Sequence, residues 1–137
     1  MLANIVALAA FIPVILGMGG NIATQSSTII VRGMATGRVN IGGEIKLIFK
    51  EIKVGLILGS LYGILLGVFA KFTFTSAPDN LGFVVGLSIC TSMIIAATVG
   101  TIIPLILRKL DIDPAIATGP FVTSSIDILG VLFYFLI

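Results

Sequence analysis

The sequence predicts an all-α fold, a polytopic membrane bundle of about four transmembrane helices. Three observations predict it. Of the 137 residues, 58% are hydrophobic and only 10% charged, with a mean hydropathy of +1.24, where a soluble domain carries about 25% charged residues. The apolar residues fall in runs of about 20 or more, the length that crosses hydrocarbon as a helix. The charged residues gather between those runs, with one exception, Asp127. Four spans and their loops use up the chain, so one transmembrane domain is expected, with spans at about 2–31, 54–72, 81–107 and 114–137. It is expected in a cell membrane, the bacterial plasma membrane, in contact with lipid and with no nucleic-acid partner.

Composition also excludes functions. The chain has no His, no Trp and one cysteine, Cys90, set in an apolar run. A disulfide within the chain, His-ligated zinc, haem ligation by His and Ser/His/Asp catalysis are therefore ruled out within it. No nucleophile and base can be paired, so an enzyme is not expected. A cleaved signal peptide over residues 1–20 fails as a reading, because the apolar stretch continues past Gly20 and no basic region precedes it.

Span one carries an unusual second half. Gly17, Met18, Gly19, Gly20 and Asn21 are followed by Thr24, Gln25, Ser26, Ser27 and Thr28. Asn21, Thr24 and Thr28 recur at helical spacing and share a face. Pro13 and the glycines would bend the helix or admit a neighbour closely. So many hydrogen-bonding groups predict a polar cavity or a tight helix contact.

The connection from Arg32 to Lys53 is polar and broken by glycines. Glu44 to Lys53 suits a short amphipathic helix lying in the interface, with Ile45, Ile48 and Ile52 on one side and Lys46, Lys50, Glu51 and Lys53 elsewhere; it equally suits the first turns of span two. Span two repeats glycine every fourth residue, Gly55, Gly59, Gly63 and Gly67. That pattern cuts a groove along one face and predicts close packing rather than chemistry. Lys71 to Asn80 is a loop. Span three has a Gly82/Gly86 pair, and Ser88, Thr91, Ser92, Thr98 and Thr101 sit among Ile and Val. Hydroxyls in such a setting chiefly bond their own backbone or a neighbouring helix. Pro104 is expected to kink its end. Asp113 then Pro114 is an N-cap followed by a first helical position, so span four is expected to open there.

Basic residues mark the inner side of a membrane protein. The first loop holds Arg32, Arg38, Lys46, Lys50 and Lys53 and the third holds Arg108 and Lys109, while the second holds only Lys71. The first and third loops are expected to be cytoplasmic.

Asp127 lies near the middle of span four, where a charge in hydrocarbon costs at least about 2.5–3.5 kcal/mol and marks a functional site by default. No Lys, Arg or His sits at comparable depth in another span. At a rise of about 1.5 Å per residue, Asn21 and Asp127 agree in depth to within roughly 10 Å, so they can border one cavity. Thr123 stands one turn before Asp127 on the same face, with Ser124 beside it. Gly119 and Pro120 open the helix further up, and Pro120 leaves the carbonyl near residue 116 without its usual donor. A site of carboxylate, amide, hydroxyls and carbonyls suits a hard cation. Magnesium sheds water reluctantly, so one or two carboxylates would hold it through its hydration shell. One acid per chain is thin for a divalent ion, whereas two copies about a twofold axis supply two. A protonated acid bonded to a neighbouring helix and a proton relay remain as other readings of Asp127.

These residues resemble a known family. Phe11 through Asn21, continuing through Thr24, Gln25, Ser26, Ser27 and Thr28 to Val31-Arg32-Gly33, is similar to the signature of the MgtE family of magnesium channels. So is Asp113-Pro114-Ala115 through Gly119-Pro120-Phe121-Val122-Thr123 to Asp127. The likeness covers nearly the whole chain. It implies a homodimer with a Mg2+-selective pore along its axis. There the acid matching Asp127 binds hydrated Mg2+ with its symmetry mate, Thr123 lines the ion site, and Gly20 and Asn21 form the facing wall. Thr24, Ser124 and Gly119 are expected to line the same pore. Mg2+ is the transported ion rather than a resident cofactor. The family's members usually have five spans and large cytoplasmic Mg2+-sensing parts including CBS domains; this sequence corresponds to the spans from the second onward, so gating by those sensors does not carry over. A proton-coupled divalent cation exchanger, and a non-transporting membrane subunit that docks a larger partner through its glycine-lined span, are the alternatives.

Overall fold

The computed structural model describes residues 2–39, 42–75 and 78–136. Helices α1 (Leu2–Ala35), α2 (Glu44–Thr73), α3 (Leu81–Lys109) and α4 (Pro120–Leu136) make up the bundle, with a 3-10 turn at Pro114–Thr118 ahead of α4, and no strand occurs among the described residues. Stretches of α1, α2 and α3 are each long and apolar enough to cross a membrane. Ile137, the expected end of span four, lies outside the described residues.

Helix α2 settles the choice left open by the first loop. It runs without a break from Glu44 to Thr73, so residues 44–53 are the opening turns of the span and not a separate interfacial helix. Thirty residues at about 1.5 Å each reach roughly 45 Å, beyond the roughly 30 Å hydrocarbon layer, so the lysine-bearing turns project past it. Helices α1 and α3 continue through Pro13 and Pro104. Span four behaves differently from expectation. Asp113 does cap, its Oδ1 accepting the Ala115 amide at 2.9 Å, but what it caps is the 3-10 turn. Gly119 then adopts φ −146°, ψ −141°, which no helix contains, and α4 opens afresh at Pro120. Proline suits that first position because its missing N–H would be unpaired there anyway.

Helix α3 is the centre. It packs against α2, α1 and α4, and α1 and α2 also meet where Ser26 bonds Glu51. The α2 contact is built on glycine. Gly55, Gly59, Gly63 and Gly67 are buried, while Leu56, Ile57, Leu61, Ile64, Leu65, Val68 and Phe69 point outward. A Cβ placed on Gly63 or Gly67 would lie 2.5 Å from the carbonyl oxygen of Gly86 or Gly82 respectively. The two backbones therefore touch, which is the close approach that drives helix association where lipid is as apolar as leucine. Aromatic packing joins the far end, where Phe11 of α1 meets Phe74 edge to face at 5.8 Å.

The hydroxyls of α3 mostly turn back on their own helix, as expected of Ser and Thr in an apolar span. Ser88 donates to the Val84 carbonyl at 2.7 Å, Thr98 to Ile94 at 2.6 Å and Thr101 to Ala97 at 2.8 Å. Ser92 does not. Its Oγ is buried with no partner among the described residues, where α1 and α4 approach α3 at Gly19 and Gly130. A stranded hydroxyl costs its desolvation, so Ser92→Ala is expected to leave stability unchanged or raise it by up to about 1 kcal/mol. Detergent-titration unfolding of the two proteins measures this; a loss above about 1 kcal/mol would show that the hydroxyl is bonded in the assembled protein.

The first and third loops lie side by side. Arg108 donates through Nη1 to the Val39 carbonyl at 3.1 Å, and Lys109 Nζ stands 3.9 Å from Glu44 Oε1. The two basic loops therefore share one end of the bundle.

Candidate functional site

Helices α1 and α4 run antiparallel, and their register fixes the site. Tyr134 donates its hydroxyl to the Leu8 carbonyl at 2.7 Å. A Cβ on Gly130 would reach the Leu16 side chain at 3.7 Å, one on Gly19 would meet Ile126 Cγ2 at 3.1 Å, and one on Gly20 would meet Thr123 Cγ2 at 3.7 Å. Val122, Ile126, Gly130 and Tyr134 form the buried seam of α4, one residue in four. That phase decides where the polar residues go. Thr123 stands at the edge of the seam, and Ser124 and Asp127 are exposed on the outside of the bundle.

The same logic applies across the contact. Glycines at 19 and 20 let α4 close onto α1, and Asn21, the next residue, is turned out beside Thr123. Thr24 is half-buried, and Gln25 and Thr28 continue the outward stripe. Asn21, Gly20, Thr24, Thr123 and Ser124 thus lie together at the α1/α4 junction. Asp127 sits one turn further along α4, level with Leu16, on a cleft otherwise walled by apolar side chains, Ile128, Val131, Leu132, Phe135 and Leu136 among them. Gly119 lies at the opposite end of this strip, where the 3-10 turn gives way to α4.

Hydrogen bonding leaves these groups free to act on something outside the protomer. Among the described residues, the Asp127 carboxylate and the Asn21 amide have no hydrogen-bond or ion-pair partner. Thr123 donates its proton to the Pro120 carbonyl at 3.1 Å, which leaves its oxygen lone pairs as acceptors. No group of three or more His, Cys, Asp or Glu that could enclose a metal occurs among the described residues. What the strip offers is a row of oxygen acceptors, which suits a cation that keeps its water and not one held in a closed cage.

One carboxylate escaped the sequence reading. Glu51, grouped there with exposed lysines, is only 4% exposed and its Oε2 accepts the Ser26 hydroxyl of α1 at 2.9 Å. Ile45, grouped with Ile48 and Ile52 on the apolar side, is exposed. The physical reason is the helical phase. Glu51 lies four residues before Gly55 and continues the glycine seam by one turn, so it is carried inside with it.

A family profile described as a divalent cation transporter, MgtE, matches residues 12–137. The protein named magnesium transporter MgtE from Bacillus subtilis is 41% identical over 134 residues, covering 98% of this chain and 29% of that relative. The proteins of the same name from Thermus thermophilus and Enterococcus faecalis are 37% and 36% identical, over 98% and 93% of this chain. The chain spans less than a third of the length of these relatives.

Proposed function

The chain belongs to the MgtE family of divalent cation transporters, a multi-pass membrane protein, and from that premise we propose that two copies form a passive pathway for hydrated Mg2+ across the bacterial plasma membrane. The observation that carries this is the contrast between two outward faces. The outer face of α2 bears Leu, Ile, Val and Phe, as lipid requires. The outer face of α1 and α4 sets Asn21, Gln25, Thr28, Ser124 and Asp127 among exposed apolar residues such as Ile29, Phe121, Ile128 and Leu132. A carboxylate and two amides facing acyl chains would each lack a hydrogen-bond partner, at several kcal/mol apiece. A second copy about a twofold axis covers that face and encloses a wet strip between two Asp127 side chains.

The chemistry follows from the ion. Six waters around Mg2+ present hydrogen-bond donors outward, so the wall must supply acceptors. The paired Asp127 carboxylates supply charge, and Thr123, Ser124 and the Asn21 carbonyl supply neutral acceptors. Gly20 and Gly119 keep the wall thin enough for a hydrated ion, and Thr24 extends it. An inside-negative potential gives about 2.3 kcal/mol per charge per 100 mV, twice that for Mg2+, so no second ion need be coupled. With the basic loops cytoplasmic, the ion enters past Asp127 and leaves past Gln25.

The test is Mg2+ uptake into liposomes carrying the purified protein, under an imposed potassium-diffusion potential or an imposed pH gradient. Uptake driven by the potential and indifferent to the direction of the pH gradient is expected. Uptake that follows the pH gradient at zero potential would instead make Asp127 a proton carrier in an exchanger. No uptake under either condition would favour a non-transporting membrane subunit.

A further inference from the structure

We propose that Glu51 forms a second hydrated divalent cation site, about 15 Å along α1 from the level of Asp127 toward the basic loops, a spacing given by the ten residues between Leu16 and Ser26 at about 1.5 Å each. Only the identity of the ion rests on the transport reading above. The site itself rests on four features of this chain.

First, Glu51 is buried, and its carboxylate is half satisfied. Oε2 takes the Ser26 hydroxyl at 2.9 Å, whereas Oε1 has no hydrogen-bond partner among the described residues. A carboxylate held largely out of water with one neutral hydrogen bond favours a cation near its second oxygen, which borders the cleft. Second, the carboxylate borders a cleft of about 220 Å³ between α1 and α2, which Gln25, Ser26 and Lys50 also line, with aliphatic side chains completing the walls. At about 30 Å³ per water in the liquid, the space accepts an ion with most of its first shell. Third, Gln25 lines the cleft and is itself exposed, one turn from Asn21 on the outward polar stripe of α1, so the cleft adjoins the strip assigned to the pore. Fourth, the carboxylate is not already neutralised by a fixed charge. Among the described residues the ion pair is Lys109 with Glu44, and Lys50, although it borders the cleft, forms no pair with Glu51 within 4.0 Å.

Lys50 is the group that decides between a cation site and a structural charge pair. Its ammonium competes with a metal ion for the same carboxylate. If Glu51 serves an ion, removing the lysine strengthens binding; if Glu51 exists to pair with Lys50, removing it only destabilises the protein.

The experiment titrates the purified protein with Mn2+ and follows the loss of the free-ion electron paramagnetic resonance signal. It is done in the Asp127→Asn background, so that the central site is already removed. Mn2+ binding that Mg2+ displaces is expected to persist in that background, to disappear when Glu51→Gln is added, and to tighten several-fold when Lys50→Gln is added instead. Lys50 is exposed, so its variant folds even if Glu51→Gln does not. Absence of binding in Asp127→Asn, survival of binding with Glu51→Gln, or Lys50→Gln leaving the affinity equal or weaker would each overturn the proposal. Failure of the pore reading shows elsewhere, as Mg2+ flux that survives Asp127→Asn.

Discussion

Asp127→Asn is expected to lower Mg2+ uptake into liposomes by at least on the order of a hundredfold, with the protein still folded. The substitution keeps the shape of the side chain and removes its charge. A unit charge and a divalent ion about 5 Å apart attract by roughly 6–7 kcal/mol at an effective dielectric constant of about 20. Water in the strip screens part of this, but a residue of about 2.7 kcal/mol is already a factor of a hundred. In the proposed dimer two charges are lost at once, because the same substitution would stand on both sides of the axis. The folded state is not at risk, since the carboxylate makes no hydrogen bond or ion pair within the described protomer. Uptake within a factor of a few of the unsubstituted protein would remove Asp127 from the ion path. On the proposed pathway Asn21→Ala is a milder change, because it would delete a neutral acceptor for the ion's water and no charge.

The largest effect on stability is expected from Gly63→Leu. A Cβ at residue 63 would meet the Gly86 carbonyl oxygen at 2.5 Å, and the remaining leucine carbons have nowhere to go but into α3. Backbone cannot rotate away as a side chain can, so the two helices must separate. Since α2 is held chiefly through α3, separation undoes most of its packing along the Gly55, Gly59, Gly63 and Gly67 seam. Overpacking alone costs about 1–3 kcal/mol, and loss of the seam takes the total above that, into the range reserved for a failed helix contact. The unfolding midpoint in a denaturing-detergent titration should fall accordingly. Leu65→Ala, on the outward face of the same helix, should change stability by no more than about 0.5 kcal/mol. Equal midpoints for the two variants would contradict the glycine-mediated contact.

Much of this architecture was legible because its determinants are local and periodic. Apolar runs announce spans, and glycine every fourth residue announces which face of α2 is buried. The seam does more than the glycines alone suggested. Extended one turn, it predicts that Glu51 lies inside, and only the habit of assigning charged residues near a loop to the solvated side hid this. The 3-10 turn at Pro114–Thr118 was not legible. Asp113 and Pro114 carry a helix-start pattern, and a start pattern does not say how far the helix goes; Gly119 ends it after five residues. Of the site, the sequence placed Asn21 and Asp127 within roughly 10 Å in depth, with Thr123 one turn from Asp127, and in the structure Gly20 approaches Thr123 across the α1/α4 contact. Which way Asp127 faces depends on the phase of the α4 seam against α1 and α3, a tertiary fact that no stretch of sequence contains.

The central claim is that two Asp127 side chains from two copies share one hydrated cation. Anomalous scattering from crystals of the protein grown in a lipidic phase with Mn2+ tests it directly. A single peak is expected on a twofold axis, roughly 4–5 Å from each Asp127 carboxylate, the sum of a metal–water bond and a water–carboxylate hydrogen bond. A peak held by one protomer away from Asp127, or Asp127 side chains directed into lipid, would contradict it.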